Sequence, residues 1–323
     1  MALNYAEQWS PDLLEILMQG TLTSPFVTSN VRWLDAKTFH FTQMSTSGYK
    51  NHSRKGGWNV GKYEQKDVPY TLTHDRDVEF LVDKADVDET NATASIQNIS
   101  RVFEKTWVVP ETDALFFSKV AQVAQKTEGY HGSTAASTYT KAKVFGMLKD
   151  ILAKGKLRRY KATGSLVMYV TSQIMDALEQ STEFTRKIEM TQIAEGGMGI
   201  ETRVTDIDGV PIMEVIDDER FYDAFNWEPE SGGFEPLKKV AASSGVEAVT
   251  GAHKINVLVA CGQTCKTVPK ISSIYYFAPG AHTKGDGYLY QNRSFSDVFV
   301  FPNGRDGKID SIYVDVDTAE AGA

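Results

Sequence analysis

Six histidines and two cysteines are the residues of this sequence best suited to metal binding or nucleophilic chemistry, and their spacing argues against both. His40, His52, His74, His131, His253 and His282 are scattered, with no His-Glu-x-x-His pair. His40 and His74 fall on strand-like runs that could face each other and offer two ligands, although histidines on strand surfaces are usually only surface residues. Cys261 and Cys265 lack the two-residue gap of redox motifs and zinc knuckles, and no second pair follows. They read as buried free thiols, which suits a reducing compartment. No Gly-x-Ser-x-Gly elbow or phosphate loop occurs. Gly196-Gly-Met-Gly199 is followed by a strand pattern without Lys-Ser/Thr, so it reads as a flexible turn. Asp206, Asp208, Asp217, Asp218 and Glu219 lack the spacing of a calcium loop. Turn formation accounts for the first two, and charge at a helix N-terminus for the rest. The reading is a protein with no catalytic residues, no metal and no cofactor.

A different chemistry is concentrated between Ser45 and Lys62. Four glycines, Tyr49, Lys50, Arg54, Lys55, Trp58 and Lys62 lie there with almost no aliphatic side chain. Aromatic rings beside cations are the anchors that protein interfaces favour, so these six form the candidate subunit-interface set. The segment is too long for an ordinary hairpin turn and too polar for a local core. Val31–Thr42 leads into it and Val68–Val82 leads out, each with strand-like alternation. One exposed ribbon cannot bury both faces. It is either a flexible lid over this chain's own body or an arm whose second surface another chain supplies.

The rest of the chain must position this arm. Its 323 residues suit one large or two modest domains, with ordinary apolar and charged content. No run of roughly 18 apolar residues is present, and the N-terminus lacks a signal-peptide pattern, which leads to the expectation of a cytoplasm-like compartment. A net charge of −8 argues against a protein that grips nucleic acid. The short basic runs at 50–66 and 154–161 read as solvated faces or protein contacts. Ser10-Pro11 opens a short amphipathic helix that Gly20 ends, and Thr21–Asn30 is an extended connector. Ile96, Ile99 and Phe103 have helical spacing. Glu111 to about Lys126 forms a second helix with Phe117, Val120, Ala121 and Ala124 inward. Pro110 is expected to push Val109 out of helical geometry and to kink this spine. Between about 130 and 250 a separate α/β unit is expected: a helix over 137–154, a buried strand at 166–170, a helix from Ser172, a hairpin turning at Asp206–Gly209, and a surface loop with a short helix over 228–251. The last third reads as four strands, at 254–260, 271–277, 297–301 and 309–314, forming one antiparallel sheet against the spine.

That order resembles the major capsid protein of tailed bacteriophages, of the Hong-Kong-phage type. Asp206–Phe221 resembles a hairpin of that family's central domain, Ile255–Ala260 the strand that leaves it, and Tyr290–Gly307 with Ile312–Val314 the closing sheet. Met1–Ala6 and Asp83–Ile99 look like capsid proteins of siphophages of Gram-positive hosts. The resemblance implies an α+β fold: an N-terminal arm at 1–30, a long extended β-hairpin loop at 31–82, a spine helix with a peripheral β-sheet domain at 83–130 and 252–323, and a central α/β axial domain at 131–251. It implies self-assembly into hexamers and pentamers of an icosahedral shell around double-stranded DNA, held without sequence-specific binding. The partners implied are other copies of the chain, a portal, decoration proteins and no membrane. The location implied is the virion, assembled in the host bacterial cytoplasm. Some relatives cross-link a loop lysine; Lys50, Lys55, Lys62 and Lys66 match by location alone, and no catalytic acid accompanies them. No long charged helical segment precedes Met1, so a separate scaffolding protein or an already trimmed chain is expected. An encapsulin-like cargo compartment and a cytosolic enzyme with 45–66 as a lid are the competing readings.

Overall fold

The computed structural model describes residues 19–28, 33, 35–52, 54, 56–84, 96–155, 157–181, 189–191, 202–240, 250–302 and 307–320. The helix expected at 10–18, the glycine run at 196–199, the short helix expected after 240, the tight turn at 303–304 and Lys55 lie outside them. In chain order the first elements are β1 (Thr38–Thr46), β2 (Tyr63–Thr71), β3 (Asp75–Asp83), α1 (Ile96–Phe103), a π-turn (Glu104–Val108), α2 (Val109–Gln125), β4 (His131–Ser133) and α3 (Val144–Ala153). There follow α4 (Leu157–Ala162), β5 (Leu166–Thr171), α5 (Ser172–Glu179), β6 (Glu189–Thr191), β7 (Thr202–Ile207), β8 (Val210–Val215), β9 (Phe225–Asn226) and β10 (Glu235–Pro236). The chain closes with β11 (His253–Cys261), β12 (Cys265–Phe277), β13 (Gly287–Val300) and β14 (Tyr313–Glu320).

Two larger sheets carry the body. One has seven strands in the order β4-β14-β11-β5-β8-β7-β6; the other has three, β12-β13-β3. The four C-terminal strands therefore do not make one sheet, contrary to the reading from sequence. β11 lies between β14 and β5 in the seven-stranded sheet, while β12 and β13 pair with β3. The reason is visible in β11, whose Ile255–Cys261 stretch is buried throughout. A strand apolar on both faces must be covered on both, and a central position does that. Leu258 and Ala260 enter the cluster formed with α2, whereas Val257, Val259 and Cys261 enter the cluster with α3, α4 and α5.

The returning arm also divides, although 68–82 had read as one unit. Leu72 is buried with Phe39, and Asp297 accepts hydrogen bonds from the Thr73 N–H at 2.9 Å and hydroxyl at 2.8 Å. These contacts turn the chain out of the hairpin, so β2 pairs with β1 and β3 with β13. On the spine, Val109 has φ −64° and ψ −52°, so it is helical despite the following proline. The preceding π-turn, closed by the Val109 N–H on the Glu104 carbonyl, widens the helix where the proline ring would meet a carbonyl one turn back. Phe117, Val120, Ala121 and Ala124 are fully buried on α2, as their spacing indicates. The Asp206–Gly209 turn is also as read: Asp208 and Gly209 have φ of 53° and 79°, the pair of positive angles that a tight hairpin turn needs.

Candidate functional site

The hairpin begins at a local turn. Asp35 Oδ1 accepts from the Lys37 and Thr38 N–H groups at 2.8 and 2.7 Å, and these bonds hold its carboxyl below the usual range. β1 and β2 then pair in unbroken register from Thr38↔Thr71 to Thr46↔Tyr63. Directly opposed residues share a face. Phe39, Tyr70, Phe41 and Val68 thus lie on one side, and that side meets the body. Phe39 stacks on Tyr70 and meets Phe299 edge-on, while Phe41 stacks on Phe301 at 4.3 Å between ring centres. Lys270 Nζ lies 3.7 Å from the centre of the Trp33 ring at the same root. The aromatic and β-branched residues that form the strands therefore also fasten them at one end.

Past Phe41 no such cluster forms among the described residues. Met44, Tyr63 and Val60 are exposed, and Tyr49 and Trp58 are 109% and 95% accessible. The tip nevertheless has internal order. Lys62 N–H donates to Ser47 Oγ at 2.9 Å, Ser47 N–H donates to the Lys62 carbonyl at 2.8 Å, and the Asn59 side chain donates to the Asn51 carbonyl at 2.9 Å. Tyr49, Lys50, His52 and Trp58 line an open cleft of about 810 Å³ within it. Tyr49, Lys50, Arg54, Trp58 and Lys62 are all exposed on this segment, and Tyr49, Lys50 and Trp58 share the cleft. No acid occurs between Ser45 and Tyr63, so the tip presents rings and positive charge alone.

The alternative sites in the sequence do not assemble. His40 pairs in register with Pro69, whereas His74 Nε2 lies 3.0 Å from Glu111 and against Trp227; the two histidines do not face each other. The acidic residues disperse to separate cations: Asp208 to Lys161 at 2.8 Å, Asp217 to Arg220 at 2.7 Å and Asp218 to Lys254 at 2.5 Å. Lys154 and Lys161 of the basic run bond Tyr313 and Asp208 within the chain. Cys261 and Cys265 are free and buried, and burial pushes the Cys265 thiol up to about 12.

One group of residues was missed. Asp113 is fully buried and accepts from the Leu22 N–H at 3.0 Å, the Thr23 hydroxyl at 2.7 Å and Arg220 at 3.0 Å. Burial pushes its carboxyl up, while Thr23, Leu22 and Arg220 oppose that shift. Arg220 also donates to the Gln19 carbonyl at 3.0 Å, and Gln19 itself bonds the Glu214 carbonyl and the Ile216 N–H. The arm at 19–23 is thereby strapped to the spine and to β8. A signal was available: Asp113 falls on the same helical stripe as Phe117, Val120 and Ala124, where an exposed acid does not belong.

The fold as a whole is similar to those of solved phage capsid structures. The chain is similar to the capsid of cyanophage P-SCSP1u, with TM-score 0.61, 11% identity, and 98% of this chain and 94% of that one covered. It matches the mature capsid of bacteriophage PhiM1 with TM-score 0.58 and 11% identity over 95% and 90%. A structure from Mycobacterium phage Che8 matches with TM-score 0.54 and 12% identity over 96% of each chain. No family model and no curated protein sequence matches. The likeness is one of fold across the whole chain.

Proposed function

We propose that this chain is the major capsid protein of a tailed phage, a structural and non-enzymatic subunit that assembles into hexamers and pentamers of an icosahedral shell around double-stranded DNA. The observation that carries the reading is the hairpin: rooted by Phe39 and Phe41, it holds Tyr49 and Trp58 out in solvent with nothing of the body over them. A ribbon of this kind is completed by a surface on a neighbouring subunit, and many copies make modest contacts collectively strong. The net charge of −8 suits a container that holds DNA without gripping it. Residues 83–130 with 252–323 then form the peripheral part and 131–251 the axial part, with β11 and β14 shared between them. Residues 31–82 make up the extended loop and its root. A scaffolding protein, portal and decoration proteins are the remaining partners, and the virion, built in the bacterial cytoplasm, is the location.

The test is deletion of residues 46–62. The shortened chain should keep the parent's circular dichroism and melting temperature yet form no closed shells by sedimentation velocity and electron microscopy. Normal shells from it would sink the role given to the hairpin. Native particles that carry one enzyme instead of DNA would point to a cargo compartment.

A further inference from the structure

β12 and β3 are the two edge strands of the three-stranded sheet, and the sequence treats them differently. An edge strand exposes N–H and C=O groups that another strand can take, and proteins blunt such edges with charge, proline or bulges. β3 carries Asp75, Asp77, Glu79 and Asp83 at exposed positions. The first part of β12 is blunted as well. Pro269 has no N–H to offer, and Lys270 is bulged between the Pro269↔Ser296 and Ile271↔Phe295 pairs. The strap covers the start of the same edge through Val27↔Thr267, with the Thr28 N–H donating to the Thr267 carbonyl at 2.9 Å. From Ile271 to Phe277 none of these devices is present. The run Ile-Ser-Ser-Ile-Tyr-Tyr-Phe has neither charge nor proline, and Ile274, Tyr275 and Tyr276 are 55%, 55% and 48% exposed. Among the described residues this run pairs with β13 alone.

We infer that Ile271–Phe277 pairs with the same edge of a second copy of the chain, antiparallel about a two-fold axis at Ile274. The run is complementary to itself in that register. Ile274 meets the partner's Ile274, Ile271 the partner's Phe277, Ser272 the partner's Tyr276 and Ser273 the partner's Tyr275. Directly opposed residues share a face, so apolar stands against apolar and each tyrosine ring stands against a small serine. No like charges face each other. Neighbouring registers that keep the faces are worse. An axis at Ser273 would bring the bulged Lys270 into the ladder, and an axis at Tyr275 would set Ile271 against Pro279, which cannot donate. The two sheets then join as one of six strands, with the acidic β3 edges outermost on both sides. Such a contact is isologous and closes on itself as a pair. Seven residues of edge are a modest contact, which repetition over a shell makes strong. The inference rests on the shell reading only for that role, since the pairing itself requires nothing beyond a second copy.

The test uses full-length chains under conditions where the parent assembles. Directly opposed residues of antiparallel strands have Cα atoms about 5 Å apart, within reach of a disulfide. Ile274→Cys under mild oxidation should therefore give a disulfide-linked dimer, with the introduced cysteines joined to each other by mass spectrometry. Leu81→Cys on the β3 edge should give none, and the native Cys261 and Cys265 are buried. In parallel, Ile274→Lys and Ile274→Glu should each keep the parent's melting temperature, because the side chain is exposed. Each alone should lose the paired species in sedimentation velocity, since like charges then meet at the axis. An equal mixture of the two should recover it. No dimer from Ile274→Cys, together with parent-like assembly of Ile274→Lys, overturns the inference. That result leaves the shell reading standing, which the 46–62 deletion tests separately.

Discussion

Asp113 and Arg220 are the pair on which the arm depends. Two charges with side chains 0% and 1% exposed are stable only while each satisfies the other and the surrounding donors. Arg220→Met strands the carboxylate with the Thr23 hydroxyl and backbone N–H groups alone, and should cost about 3–5 kcal/mol in urea unfolding. Asp113→Asn keeps an acceptor and should cost less. Both should make residues 19–28 sensitive to limited proteolysis before the rest of the chain, and equal resistance to the parent would remove the strap from the account. Buried thiol and phenol groups predict a second behaviour. Cys265 ionises near 9 when unfolded but is pushed up to about 12 by burial, and burial raises Tyr139, Tyr160 and Tyr169 as well. Below pH 9 these groups are neutral in both states and contribute nothing. Above it only the unfolded chain ionises, so stability falls as pH rises from about 9 to about 12. Urea midpoints measured across this range should decline steadily, and a thiol reagent at neutral pH should label neither cysteine until the chain is denatured.

The hairpin is an element with two ends that obey different rules. At the root, Phe39 is fully buried among Tyr70, Leu72 and Phe299, so Phe39→Ala should destabilise by about 3–5 kcal/mol and raise hydrogen exchange across β1 and β2. At the tip, Trp58→Ala removes an exposed ring and should leave stability within about 0.5 kcal/mol while assembly is lost. If Trp58→Ala shifted both together, the tip would be part of the fold and not an interaction surface. The sequence carried much of this element. Alternation marked both strands, and the run of glycines, rings and cations marked the tip. It did not show that the returning arm breaks at Leu72–His74, because local alternation continues through Thr71–Asp77 and only Asp297, more than 200 positions away, captures Thr73. Val109 failed for a similar reason: the rule for residues before proline assumes an ordinary helix, and the π-turn provides a wider one.

For the whole molecule, the seven-stranded and three-stranded sheets share the spine helix and the Gln19–Phe26 strap. Phe26 packs on Phe116, and Thr28 N–H bonds the Thr267 carbonyl at 2.9 Å. A chain tied together in this way is suited to move as one body. Sedimentation velocity over a wide concentration range should show monomer passing directly to capsomer-sized or larger species. Raised salt should shift that onset to higher concentration, because the tip carries only positive charge while the chain as a whole has a net charge of −8. An onset indifferent to salt would argue against charge guiding the contact.

Sequence alone located most of the local elements, since periodicity and turn residues are properties of neighbours along the chain. It also marked the rings and cations of the tip, whose composition excludes a core of their own. Tertiary structure alone decided which sheet each C-terminal strand joined and what Asp113 was for. Those outcomes depend on which distant surfaces remain to cover an apolar face or neutralise a buried charge, and no local pattern specifies them.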